Sequence, residues 1–223
     1  MSRTEPALLD RETASSSAVR VVVATIGLVA SLAGIEHGVG ELLQDASTAD
    51  GLVIESWPDV AAFEPLDGEP AMTLIPDLRI AGVVSVVTAV ALGWWAVRAR
   101  PHRRDGWVLL SLSVLLLVVG GGFGPPLVGL VLAIGLLRAD PRTRPRKPGR
   151  VRRALASAWR SLLLLTVSSF LALLLGVVLL QWLAGVDSTL LPVLLPPVAF
   201  GGLVLTLAGA LTADRERARE DEA

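Results

Sequence analysis

The residues best suited to chemistry lie in the segment 34–44, where one histidine and two glutamates fall within six positions. His37 and Glu41 are four residues apart, so they would be neighbours on one helix face, whereas Glu36 is expected on the opposite face. A carboxylate beside an imidazole could relay protons, bind a cation or hydrogen-bond a polar ligand. The structural alternative is that the pair lies among lipid headgroups and holds the following loop. We therefore name His37, Glu41 and Glu36 as a candidate ligand or proton site.

The other residue types argue against several kinds of chemistry. Cysteine is absent and the second histidine, His102, lies in a basic segment, so we predict no metal site. No phosphate-binding Gly-rich loop, nucleophile-elbow serine or HExxH helix is present, and we predict no cofactor. An enzyme that uses Glu36, His37 and Glu41 on a lipid-linked substrate is a weaker hypothesis, because the other carboxylates are confined to a flexible-looking loop.

The elements that must position these residues are apolar helices. Hydrophobic residues make up 52% of the 223 positions and the mean hydropathy is +0.62, more than a soluble core of this size would need. Stretches long enough to cross roughly 30 Å of hydrocarbon as helices are found at 19–43, 80–97, 161–183 and 190–211. The chain is therefore expected to be a membrane protein with four full spans.

A fifth apolar stretch, 107–137, is too long for one span and contains a run that a helix would not tolerate. The run consists of Gly120, Gly121, Gly122, Phe123, Gly124, Pro125 and Pro126. Basic segments on both sides require the chain to enter and leave on the same side, which predicts a helical hairpin. Its arms, 107–119 and 127–137, would be only roughly 16 to 20 Å long, so the tip is expected within protein. The predicted fold is an all-α polytopic helix bundle of about six helices.

Charge predicts the orientation. Of the 20 basic residues, 19 lie in the segments 1–20, 98–106, 138–160 and 213–223, whereas 41–79 holds nine acids and one arginine. Short basic loops stay in the cytoplasm, so we expect a prokaryotic plasma (inner) membrane protein with both termini cytoplasmic. The expected divisions are a tail 1–18, a membrane domain 19–213 with outer loop 44–78 and cytoplasmic loops 98–106 and 138–160, and a tail 214–223. The alternative for the first span is a cleaved signal peptide with 21–30 as its hydrophobic region and a cleavage site at 31–33.

The acidic outer loop is expected to form a small cap on the bundle, because its apolar residues are too frequent for a disordered linker. Trp57, Glu69 and Asp77 are the candidate cap residues. Asp77 would also complement the N-terminal dipole of the second span. An inert lid and a ligand gate are both compatible with this composition.

Two features of the spans bear on packing. Small residues form a stripe on the first span, at Gly27, Ser31, Gly34 and Gly38, and a second stripe at Gly82, Ala89 and Gly93 is its expected partner. The sequence Gly-Leu-Val-Leu follows a Pro-Pro pair at both 129 and 202. This is consistent with an internal duplication in which each copy has a Pro-broken outer end, or with chance similarity between apolar helices. Paired interrupted segments are typical of transporters.

The basic segment from Arg138 to Arg160 could contact anionic lipid or act only as a topology determinant. Expected partners are the lipid bilayer and either another membrane protein or a second copy of the chain. Nucleic acid is not expected.

Four motifs together resemble a group of uncharacterised bacterial and archaeal multi-pass membrane proteins. They are Glu36-His-Gly-Val-Gly-Glu41, Ser56-Trp-Pro58, Gly68-Glu-Pro-Ala-Met-Thr73 and the Gly120 to Pro126 run. The resemblance covers about 20–137 and implies no activity, only that these positions belong together. From the residues we expect transport or permeation of a small solute, ion or proton; the alternative is a non-enzymatic assembly partner of another membrane protein.

Overall fold

The computed structural model describes residues 17–44, 48–139, 149–184 and 190–221. Within these ranges the chain forms seven α-helices. They are α1 (Ala18–Leu43), α2 (Leu78–Arg98), α3 (Arg103–Val118), α4 (Gly124–Arg138), α5 (Arg150–Leu171), α6 (Val177–Ala184) and α7 (Leu190–Glu220). A π-helical turn, Ala172–Gly176, joins α5 to α6, so the two form one bulged helix. This division accounts for seven helices where about six were predicted.

Four helices of the described chain are apolar enough, and long enough, to span a bilayer: α1, α2, the joined α5 and α6, and α7. The predicted all-α polytopic membrane bundle is confirmed. The third span differs at its start, since it runs from Arg150 to Ala184 over 35 residues rather than beginning at 161. Residues 150–160 were predicted as loop on their charge, but arginine, alanine and leucine favour helix and the helix extends through them. Residues 140–148 of the predicted basic segment lie outside the described residues.

Helices α1 and α2 pack closely through their small residues, as predicted. A Cβ atom at Gly38 would lie 2.9 Å from the carbonyl oxygen of Gly82, so the two backbones are in contact there. Two turns deeper, the Ser31 hydroxyl donates a hydrogen bond of 2.7 Å to the Ala89 carbonyl oxygen. The small-residue stripe is therefore occupied by a helix of the same chain.

Helices α3 and α4 form the predicted hairpin, and its Gly-rich tip lies within protein. Gly120, Gly121 and Gly122 are buried, with φ of +107° at Gly120 and +72° at Gly122. The Leu74 amide donates a 2.9 Å hydrogen bond to the Val118 carbonyl oxygen, which joins the tip to the outer loop. The tip's free backbone groups thus meet protein rather than lipid.

The outer loop is a folded cap, as the sequence predicts. Strands β1 (Val53–Glu55) and β2 (Pro70–Met72) pair antiparallel, and a 3-10 helix, Ala61–Leu66, lies between them. The Trp57 and Phe63 rings stack at 4.7 Å. Asp77 is the N-cap of α2 and accepts hydrogen bonds of 3.0 and 3.1 Å from the amides of Arg79 and Ile80. The Asp77 carboxylate therefore complements the N-terminal end of the α2 dipole, as predicted.

Helices α5 and α7 form the second antiparallel pair. Thr166 and Thr206 share a buried 3.1 Å hydrogen bond, and a Cβ atom at Gly202 would lie 2.6 Å from the Thr166 hydroxyl. Pro196 and Pro197 lie inside α7, which begins at Leu190 and continues past both prolines. The expectation of a Pro-broken outer end in both proposed repeats is therefore wrong for α7, whereas Pro125 and Pro126 do lie in the first turn of α4.

The first and last helices meet at the end of the bundle opposite the cap. The Asp214 carboxylate accepts hydrogen bonds from the Ser17 hydroxyl and the Ala18 amide, both 2.7 Å, and from the Val19 amide at 3.0 Å. Asp214 of α7 thus caps α1. We call the end of the bundle that carries Ser17 and Asp214 the arginine end. The opposite end, which the outer loop covers, is the cap end. Since α1 rises about 39 Å over its 26 residues, the two ends are a membrane thickness apart.

Candidate functional site

The last two turns of α1 carry three acidic or basic side chains to the cap end, and the cap adds a fourth. The imidazole Nδ1 of His37 lies 3.1 Å from Glu36 Oε2, and its Nε2 lies 3.2 Å from Glu69 Oε2. Glu41 lies one helical turn beyond His37 and is fully buried, as is 92% of His37. We call Glu36, His37, Glu41 and Glu69 the acid–histidine cluster.

The structure corrects the predicted position of Glu36. Helical spacing placed Glu36 on the face opposite His37 and Glu41, but its carboxylate lies beside the imidazole. The cap folds over the C-terminal end of α1, so residues on two faces of the helix contact the cap there. A helical wheel describes faces along a helix and cannot describe a cap folded over its end.

The hydrogen bonding of His37 fixes which ring nitrogen carries the proton in the neutral form. Nδ1 lies 2.9 Å from the Ala33 carbonyl oxygen, which can only accept, so Nδ1 must be the donor. In the neutral ring Nε2 then carries a lone pair and faces a carboxylate oxygen of Glu69. Two acceptors at 3.2 Å repel each other unless a proton or a cation lies between them.

Several buried carboxylate oxygens of the cluster have no hydrogen-bond partner among the described residues. They are both oxygens of Glu36, both of Glu41, and Oε2 of Glu69. The contacts of Glu36 and Glu69 with His37 have ion-pair distances but not hydrogen-bond alignment. Burial raises the pKa of Glu69 in the cap to about 8, although the charge of His37 opposes the shift. Buried carboxylates without aligned hydrogen bonds are costly, so the cluster is arranged for something other than stability alone.

The hairpin tip packs its backbone directly against the cluster. A Cβ atom at Gly120 would overlap the Glu41 carboxylate, and one at Gly122 would overlap the His37 ring at Nε2. Both glycines also have left-handed φ angles, which side-chain-bearing residues rarely adopt. The predicted tip and the predicted α1 site are therefore one structure.

The cap holds Glu69 in a strained backbone conformation. Asp67, Gly68 and Glu69 have successive φ angles of 55°, 64° and 54°, which is an unfavourable region for the two side-chain-bearing residues. The strand pairing continues just past them, since the Ser56 amide donates a 3.1 Å hydrogen bond to the Glu69 carbonyl oxygen. The cap therefore forces Glu69 toward α1, and such enforced geometry is typical of functional positions.

Trp57 covers the last turn of α1. A Cβ atom at Gly40 would lie 2.8 Å from the Trp57 indole Nε1. Trp57, named from the sequence as a cap residue, thus packs against the helix that carries the acid–histidine cluster. Asp77 does not, because its carboxylate is engaged at the start of α2.

The cluster opens into a cleft of about 410 Å³ between α1, α4, α5, α7, the π-helical turn and the cap. His37 and Glu69 line its polar end, and Ile26 lies farther along α1. Eleven residues separate Ile26 from His37, which corresponds to about 16 Å along the helix. Other lining residues are Phe123, Pro125, Phe170, Pro196 and Phe200. The hairpin tip and the Pro196 region therefore both contribute to the cleft, together with the cluster.

The contribution of Phe170 and Phe200 was not foreseen. Their rings meet edge to face at 5.4 Å, and both lie on the long apolar spans α5 and α7. Only four phenylalanines occur in the chain, and three of them line the cleft. Their rarity is the one signal the sequence carried, because periodicity alone does not separate a cleft-lining ring from one that faces lipid.

Fold and site together define a polytopic α-helical membrane protein with a buried acid–histidine cluster at one end of an apolar cleft. Comparisons of the chain with protein-family models, with curated proteins and with solved structures found no match. The resemblance drawn from the four motifs therefore stays a prediction.

Proposed function

We propose that this protein transports or permits permeation of a small solute across a prokaryotic plasma membrane, and that the cleft is its binding site. The observation that carries the proposal is the position of the acid–histidine cluster, buried at the polar end of the cleft between spanning helices. Ionisable groups at such depth are expensive and usually face a ligand or water path.

The lining of the cleft suggests the chemistry of the solute. Its volume of about 410 Å³ lies at the lower end of the range for small-molecule sites. Apolar side chains cover most of the wall, whereas Glu69 supplies hydrogen-bond acceptors at one end. A solute with a small apolar body and a cationic or hydrogen-bond-donating group fits this arrangement.

We assign the cap end to the outside and the arginine end to the cytoplasm. Most of the arginines among the described residues lie at helix ends near the arginine end, and short basic loops are retained in the cytoplasm during insertion. Asp214 draws the start of α1 and the end of α7 to the same side, which supports termini on one face. In this orientation a solute would approach from outside, past the cap.

Flux measurements test the proposal. The wild type is reconstituted in liposomes and supplied with a panel of labelled amines, alcohols and amphiphilic cations. Glu69→Gln and His37→Gln are expected to reduce flux of the transported solute, because each removes a polar contact while keeping side-chain size. Glu64→Gln is the matched control, since Glu64 is exposed in the same cap. Equal flux through wild type and empty liposomes across the panel would reject the proposal.

An enzyme acting on a lipid-linked substrate is a second candidate. The reason to discount it was the flexible-looking outer loop, but Glu69 is fixed by paired strands beside His37. The apolar cleft next to the cluster could hold a lipid chain. Turnover of native membrane lipids by the wild type, lost in a Glu69→Ala/His37→Ala double variant, would favour this reading over transport.

The alternative function, assembly with another membrane protein, rests on two surfaces: the small-residue stripe of α1 and the cap. The stripe no longer supports it. The small-residue stripe on α1, which could have bound another membrane protein, is covered by α2 of the same chain. The cap surface is the remaining candidate for such contact.

A further inference from the structure

Three potential metal ligands converge at the cap end. One carboxylate oxygen of Glu36, one of Glu69 and a ring nitrogen of His37 all lie within 4.8 Å of one another. Ligand atoms of a bound divalent transition-metal ion lie about 2.0 to 2.2 Å from it, so their mutual distances are roughly 3 to 4 Å. Glu69 already lies at that spacing from Nε2, at 3.2 Å, whereas Glu36 lies 3.1 Å from Nδ1 and has to turn toward Nε2 to share the ion.

The second hydrogen bond of His37 has the form found in metal sites. A ligating histidine usually donates its other ring N–H to a carboxylate or a backbone carbonyl, which fixes the tautomer and the ring orientation. Here Nδ1 donates to the Ala33 carbonyl oxygen at 2.9 Å. That bond leaves Nε2 with its lone pair directed to the side where Glu69 lies.

Charge at the cluster favours a divalent cation. The ligand oxygens of Glu36 and Glu69 are buried, and no well-aligned hydrogen bond reaches them from the described residues. One divalent ion would neutralise these two carboxylates while His37 stays neutral. Glu41, fully buried and also without a hydrogen-bond partner among the described residues, lies one turn away and adds no ligand to this set.

We propose that Glu36, His37 and Glu69 bind a divalent transition-metal ion of the Zn²⁺ or Mn²⁺ class at the polar end of the cleft. This replaces the prediction of no metal site, which rested on the small number of histidines and the absence of cysteine. One imidazole with two carboxylates is a mixed nitrogen and oxygen set, which suits Zn²⁺, Mn²⁺ or Fe²⁺ better than Ca²⁺ or Cu⁺. The site does not depend on the solute proposed above.

The test uses the full chain in detergent, free of any affinity tag and stripped with a chelator. Zn²⁺ and, separately, Mn²⁺ are titrated by equilibrium dialysis with elemental analysis, in excess Mg²⁺. Glu69→Gln and His37→Gln are expected to bind at least about tenfold more weakly, since losing even an outer partner of a ligand costs roughly 10- to 100-fold. The matched controls are Glu64→Gln and His102→Gln, both exposed and away from the cluster.

Saturable binding of a single ion per chain that both cluster variants weaken and both controls retain supports the site. X-ray absorption of the zinc-loaded wild type gives a reading that needs no variant: imidazole and oxygen ligands are expected. The proposal is overturned if the wild type binds neither ion saturably, if the cluster variants keep wild-type affinity, if Glu64→Gln loses as much, or if the spectrum lacks an imidazole ligand.

Discussion

Replacing Gly120 by alanine tests the contact that joins the hairpin tip to the cluster. At φ +107° the backbone of Gly120 lies outside the region that alanine favours, and the added methyl group would overlap the carboxylate of the buried Glu41. The variant should therefore fold less stably, and it should disturb Glu41 first. Gly124→Ala is the matched control in the same tip, because its Cβ would meet no atom within 4 Å.

Two contributions set the expected size of the effect. A left-handed backbone costs a side-chain-bearing residue about 1 to 2 kcal/mol, and forcing a methyl group into a packed site costs about 1 to 3 kcal/mol. Their sum is about 2 to 5 kcal/mol. For a chain of this length each kcal/mol lowers the Tm by roughly 2 to 4 °C, so the expected decrease is roughly 4 to 20 °C. Gly124→Ala should change stability by less than about 1 kcal/mol.

A double-mutant cycle separates the two contributions. Thermal unfolding in detergent is followed by tryptophan fluorescence for the wild type, Gly120→Ala, Glu41→Ala and the double variant. Removing the Glu41 carboxylate relieves the overlap but not the backbone strain, so the coupling energy should be about 1 to 3 kcal/mol. Coupling near zero, or an equal loss in Gly124→Ala, would refute direct packing of the tip on Glu41.

Three further outcomes are expected. Glu41→Met should leave the Tm unchanged or raise it, because an unpartnered buried acceptor costs about 1 to 3 kcal/mol; a clear decrease would mean that Glu41 has a stabilising partner. Asp214→Ala should lower stability by about 1 to 2 kcal/mol through loss of the α1 cap, with exposed Glu220→Ala as the control; equal Tm values would contradict that capping role. Burial raises the pKa of Glu69 from 4.5 to about 8, so its stabilising contribution is complete below pH 4.5 and lost as the pH rises through 8. With chelator present, the wild-type Tm should fall across that range more steeply than that of Glu69→Gln, and parallel curves would argue against the shift.

Much of the architecture could be predicted because lipid imposes simple constraints. Hydrocarbon thickness fixes the length of a span, and a Gly-Pro run cannot continue a helix, so the four spans and the hairpin follow from local sequence. The stripe that contains Gly34 and Gly38 correctly predicted the packing of α1 on α2, since small residues at helical spacing admit a neighbouring backbone. The exact start of the third span was missed, because charge suggested loop where helix propensity prevailed at Arg150.

The candidate site could be predicted only in part. His37 and Glu41 were chosen because ionisable groups near a membrane are costly, and that reason needs no partner to be known. The approach of Glu69 to His37 could not be derived, since 32 positions of chain separate them and the cap's left-handed turn decides where the carboxylate points. Glu36 was placed on the wrong face for the same reason.

By itself the sequence determined that the long helices are apolar enough to lie in lipid, how many of them can span it, and which residues would be expensive to bury. Those properties depend on composition and on spacing along one helix. Only the tertiary structure decided that the cap, the end of α1 and the glycine tip meet at a single place. Such a meeting depends on contacts between residues distant in the chain, which local periodicity does not encode.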